Sequence, residues 1–162
     1  MKSVKTHLLI IASISYISVI GGAIYEHLSV VPQWSAAPPA SLTMFQGKYG
    51  LQAGNFWGFI HPVTTVFLIA SLIANWKTER RKYILVIIGV YVVAQVITAI
   101  YFVPELLAII NTKYEAIINQ GLASRAKLWE KLSLARLALI TVTAGILLFS
   151  LTKGNDKANS KI

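Results

Sequence analysis

The sequence predicts an all-α membrane protein, a bundle of four transmembrane helices, antiparallel between neighbours, with an external loop joining the first two. Three observations predict it. Of 162 residues 56% are hydrophobic and 13% charged, and the mean hydropathy of +0.64 is too high for a soluble domain of this size. Four apolar stretches reach the roughly 20 residues that a helix needs to cross about 30 Å of hydrocarbon. No ten-residue alternation of the barrel type occurs, and an open strand in lipid leaves its amides unsatisfied.

The spans fall at residues 8–31, 55–76, 83–105 and 132–152, so residues 1–152 form one transmembrane domain, followed by a polar, disordered cytoplasmic tail at 153–162. In the first span, Lys2 and Lys5 precede an apolar run containing Gly21-Gly22-Ala23, a pattern shared with cleavable signal peptides. The apolar character continues through Tyr25 to Val31 and completes a span. Residues 32–54 carry Trp34, Pro38-Pro39, Gly47 and Gly50, the turn chemistry of an external loop or partial lid. Its aromatics, with Tyr49 and Trp57, suit the headgroup level.

In the second span Pro62 follows His61, and two geometries fit. Pro62 either lies inside the helix and strips the Gly58 carbonyl of its donor, or it is the first helical position after an interfacial segment at 49–60. The third span ends in Tyr101-Phe102-Val103-Pro104-Glu105, and residues 111–131 read as a helical extension with a turn at Gly121 leading into the fourth.

Charge sets the expected orientation. Lys2, Lys5, Lys77, Arg80, Arg81, Lys82, Lys153, Lys157 and Lys161 make nine basic residues on the side of the termini, against five (Lys48, Lys113, Arg125, Lys127, Lys131) on the other. Basic residues accumulate in cytoplasmic flanks, so both termini are expected in the cytoplasm, in a bacterial inner membrane. The net charge of +9 is spent in these short clusters and not along one polar face, which argues against nucleic acid as a partner. The expected partners are the bilayer, a small apolar ligand and, as an open option, further copies of the chain. With no cysteine, disulfides, thiolate catalysis and Cys-ligated metal centres are excluded.

Ionisable side chains inside a span cost a few kcal/mol or more each and turn toward the bundle interior, where they find partners. Glu26 and His27 lie late in the first span, His61 early in the second, Gln95, Thr98, Tyr101 and Glu105 late in the third, and Arg136 early in the fourth. Counting about 1.5 Å per residue from the span midpoints puts Glu26, His61, Tyr101 and Arg136 roughly 6 to 10 Å toward the outer side, with Glu105 a little beyond. Helical spacing agrees: Ser15, Ser18, Gly22, Glu26 and Ser29 share a face, as do Tyr91, Gln95, Thr98, Phe102 and Glu105, and Trp129, Ser133, Arg136, Ile140 and Thr143. The expectation is a polar pocket in the outer leaflet, with Arg136 in an ion pair with Glu26 or Glu105. His27 reads as an interfacial residue at a helix end.

No cofactor is expected from these residues. A metal would have to use Glu26, His27, His61 and Glu105, a set suited to iron, manganese or zinc, but the Glu-x-x-His pair of di-iron bundles is missing. Haem between His27 and His61 is a further alternative.

The layout of Val31-Pro32 closing a glycine-bearing first span, Tyr101-Phe102-Val103-Pro104-Glu105 closing the third, and Trp129 with Arg136 opening the fourth resembles the anthrone oxygenase-like family of small four-helix membrane proteins. That resemblance implies a flat phenolic substrate that partitions into the bilayer and is oxidised by dioxygen without metal or flavin. His61 would then be the base and Arg136 the stabiliser of an enolate, with Tyr101 and Glu105 orienting. The competing expectation is a binding or accessory protein without chemistry, in which the same residues hold a ligand or set helix register.

Overall fold

A computed structural model describes residues 2–154, and every regular element among them is helical. Helix α1 (Lys2–Tyr25) passes through a π-turn (Glu26–Val30) into α2 (Val31–Ser35). A 3-10 turn (Ala40–Phe45) comes next, and α3 (Ala53–Ala74) returns. Helix α4 (Arg80–Ile97) again passes through a π-turn (Thr98–Phe102) into α5 (Val103–Ile110), and α6 (Gln120–Leu151) is the last helix among the described residues. Four continuous helical runs are long and apolar enough to cross a membrane: Val4–Ser35, Ala53–Ala74, Arg80–Ile110 and Gln120–Leu151. In the third, only 22% of the most apolar stretch is buried in the bundle, so its remaining surface needs lipid around it. From residue 155 onward the tail expected at 153–162 lies outside the described residues.

The spans close into a ring in which α1 packs on α3 and α6, and α4 on α3 and α6. Two apolar clusters fill it. One, toward the termini, joins Leu9, Tyr16, Leu68, Ile84, Ile87 and Leu147, and the other, toward the loops, joins Val31, Trp34, Leu42, Phe102, Ile109 and Trp129. The second is largely aromatic, with Trp129 5.6 Å from Trp34 and 5.8 Å from Phe102 between ring centres. Trp34 is therefore a core residue, 2% exposed, and not a headgroup-level aromatic as its loop position suggested. Tyr49, at 91% exposure, keeps the surface placement expected of it.

Two further differences from the sequence reading, at Gly121 and Arg80, have local causes, and one open choice, at Pro62, is decided. The turn expected at Gly121 is the first turn of α6, because the Asn119 side chain accepts from the Leu122 amide at 3.0 Å and starts the helix there. Pro62 lies inside α3, which settles between the two geometries. Arg80, counted among the flank charges, is only 4% exposed: it donates to the Leu151 carbonyl at 3.0 Å, the Lys153 carbonyl at 3.1 Å and the Thr6 hydroxyl at 3.0 Å. It thereby caps the carbonyl end of α6, where a cation meets the negative pole of the helix.

Candidate functional site

The two π-turns position the site. Each precedes a Val-Pro pair, and proline both lacks an amide and crowds the carbonyl four residues back, here Leu28 for Pro32 and Ile100 for Pro104. Widening the turn by one residue relieves the conflict: the Val31 amide bonds to the Glu26 carbonyl and the Val103 amide to the Thr98 carbonyl, each five residues back. One extra residue also turns everything after it by about 100° around the helix axis. The interior face of the first span thus contains Glu26 and His27 side by side and resumes at Val31 and Trp34, and that of the third continues through Leu106 and Ile110 in place of Glu105.

Between the two clusters lies a cavity of about 1230 Å³, partly open to the surroundings. Glu26, His27, His61, Gln95, Thr98 and Arg136 all line it, so six of the eight residues expected in the pocket come together from all four spans. Tyr101 and Glu105 do not line it. The Tyr101 ring packs 5.2 Å from Phe102, and Glu105, rotated outward beyond the π-turn, holds Arg125 in a two-pronged ion pair with Oε1 2.7 Å from Nε and Oε2 2.9 Å from Nη2.

Arg136 accordingly has no carboxylate within 4 Å among the described residues, which corrects the expected ion pair. Its Nη1 donates to the Thr98 hydroxyl and its Nη2 to Ser133 Oγ at 3.1 Å, and the guanidinium lies 4.1 Å over the Phe102 ring. Two hydroxyl acceptors and an aromatic face engage the guanidinium without using all of its five N–H groups or neutralising its charge. Ser133 Oγ is also 3.1 Å from His27 Nε2. A hydroxyl that accepts from the guanidinium can give its own proton to Nε2 or accept a second bond from it, and Nδ1 on the far side of the ring is a buried atom with no partner among the described residues. His27 is thus an interior member of this network and not an interfacial one.

Glu26 accepts one hydrogen bond, from Trp57 Nε1 at 2.8 Å. Trp57 reaches it because α1 and α3 come close at Gly22, where a Cβ would lie 2.5 Å from Phe56 Cε1. The Trp57 ring in turn stacks on His61 at 5.3 Å. His61 Nδ1 is 2.8 Å from the Tyr91 hydroxyl and 2.7 Å from the Gln95 amide nitrogen. An amide nitrogen only donates, so Nδ1 accepts and the ring proton sits on Nε2. Trp57, Tyr91 and Ser133 complete the site. Tyr91 and Ser133 were visible in the helical stripes, and Trp57 could have been found from its four-residue spacing to His61.

The four candidate metal ligands are not assembled: among the described residues no three His, Asp or Glu side chains converge on one point, and Glu105 lies with Arg125. Fold and cavity define an integral-membrane four-helix bundle with a partly open, largely apolar cavity that carries a cluster of polar residues. No family model, curated protein or solved structure matches this chain.

Proposed function

We propose that this protein binds a small, flat, largely apolar molecule that carries an oxygen function, in the outer half of a bacterial inner membrane, with both termini in the cytoplasm. One observation carries the reading: a guanidinium with no carboxylate partner among the described residues lines a cavity together with the His61 imidazole, whose Nε2–H is left over from its internal bonds. These two cavity-facing groups suit a carbonyl, phenol or phenolate oxygen, and Glu26 can accept from a ligand hydroxyl. The walls of Val19, Ala94, Phe102, Leu106 and Ile140 suit an aromatic body.

Likeness to the anthrone oxygenase-like family supplies a second reading, favoured by the presence of His61 and Arg136 in one chamber. There a base removes the acidic carbon-bound proton of the substrate, and dioxygen adds to the enolate carbon. The resulting hydroperoxide loses water, so a methylene and O₂ become a carbonyl and H₂O. Proton abstraction by His61 Nε2 needs the ring proton on Nδ1. Turning over the Gln95 amide provides that, because its carbonyl then accepts from Nδ1–H. With the amide as it stands, His61 is a donor to ligand oxygen, and binding is the reading that needs no rearrangement.

The test uses the full chain in lipid nanodiscs, with anthrone and naphthoquinone as probes and tryptophan emission as readout, since Trp57 and Trp129 line the cavity. Quenching should saturate, and Arg136→Leu or His61→Gln should weaken it at least tenfold. Oxygen uptake with anthrone that is lost in His61→Gln would select the oxygenase reading. Non-saturable quenching equal in all variants would overturn both readings. Stoichiometric iron or a haem spectrum in purified protein would replace them with a redox cofactor.

A further inference from the structure

The cavity wall is interrupted between the outer halves of the second and third spans. There α3 leans on α1 through Gly22, Phe56 and Trp57, while α5 rests against α6, so the two helices diverge beyond the π-turn. On α3 the residues bordering the gap are Gly54 and Gly58, on the same face as His61. Opposite them stand Ala99, Val103 and Leu107. All five line the cavity and are exposed, Val103 by 46% and Leu107 by 47%. A Cβ added at Gly54 or Gly58 meets nothing within 4 Å, so the space beside them is open and not filled by a neighbour. At membrane depth such an opening faces acyl chains.

The cavity of about 1230 Å³ also exceeds the roughly 300–1000 Å³ that drug-sized ligands fill. One polar cluster surrounds His61, Gln95, Thr98 and Arg136 and another lies at the loop end, at Gln46, Gln52, Asn111 and Lys113, while the lips of the slit between them are glycine and aliphatic. Building on the reading above, we infer that the ligand is a tailed amphiphile: an oxygenated ring held by the cluster around His61, with an apolar chain leaving through the slit between α3 and α5 into the bilayer. Gly54 and Gly58 are the specificity determinants, because they keep the exit wide enough for a chain. The ligand enters sideways from the lipid, ring first.

Two probes separate ring from tail: naphthoquinone, and naphthoquinone carrying a decyl chain. Gly58→Leu narrows the slit, and leucine is a better helix former than glycine, so the substitution does not endanger folding. Val103→Phe narrows it from the opposite lip. Both variants should lower the affinity for the decyl compound at least tenfold and change that for the bare ring less than twofold, whereas Gly145→Leu, on an exposed face of α6 outside the cavity, should change neither. Equal binding of the decyl probe by wild type and both slit variants would overturn the inference while leaving the ring site standing. An equal loss for both probes would also overturn it, since the glycines would then border the ring itself. Failure of the wild type to bind either probe would remove the proposed function, and the tail path with it.

Discussion

Arg136 shows how much a single residue reveals and where it misleads. Its depth, and its position on the inward face of the fourth span, follow from a count along the sequence, and the structure places it there. Its partner does not follow from such a count, because a long side chain can choose among several acceptors; of the two carboxylates expected to pair with it, Glu105 has been turned away and Glu26 accepts from Trp57. Arg125, which holds Glu105, was hidden by placing the start of the fourth span at residue 132, although the helix begins at Gln120. The consequence is testable in detergent. Arg136→Leu should not be rescued by adding Glu105→Gln, and Glu105→Gln alone should cost no more than about 1 kcal/mol, as expected for an ion pair half in solvent. Thermal melting of the two single variants and the double variant decides it, and a recovery in the double would show that the two residues are coupled. At His61, Gln95→Glu offers only acceptor atoms to Nδ1 and moves the ring proton there. Nε2 then becomes basic, so binding of a carbonyl ligand should weaken several-fold and proton abstraction, if the chain performs it, should rise. Titration calorimetry with naphthoquinone and an oxygen electrode with anthrone read the two effects. Unchanged affinity would place His61 outside the ligand contact.

Among the elements, the four spans were legible because each is a long uninterrupted apolar run, and their ends were less so. Polar residues continue a helix unnoticed when a cap such as Asn119 starts it early. The π-turns escaped because a strict helical count assumes equal turns. Their signal was nevertheless present twice, as a Val-Pro pair at the end of an odd-numbered span. A π-turn is one residue inserted into an α-helix, so removing a residue inside it should restore regular winding without rotating the helix beyond it. Deleting the 72%-exposed Ile100 together with Pro104→Ala should therefore preserve the packing of Phe102 on Trp129. Deleting Val92, in the regular part of α4 and 49% exposed, should swing the whole outer half of the span by about 100°. The second deletion should lower the melting temperature far more than the first. Equal losses would mean that the π-turn carries no stored register.

At the scale of the whole molecule, the ring of four spans and the meeting of six polar residues were legible from hydropathy and depth, whereas the chamber was not. An empty space between two clusters depends on how far helices lean apart, and no residue announces that. The orientation rests on the basic bias and is open to labelling. A cysteine at Tyr49 or at the 81%-exposed Ile117 should react with an impermeant maleimide added outside intact cells, and one at Lys77 only after permeabilisation. The opposite pattern would reverse the bundle. Arg80 has a bearing on how the protein is made. Its acceptors belong to Thr6, which leaves the ribosome before it, and to Leu151 and Lys153, which leave only with the end of the fourth span. A nascent chain with three spans inserted therefore carries a guanidinium without its final partners, and it stays recognisable as unfinished until the fourth helix arrives. Chains truncated before Leu151 should then be cleared by membrane proteases, and Arg80→Leu should make the full-length protein less dependent on its own final turn.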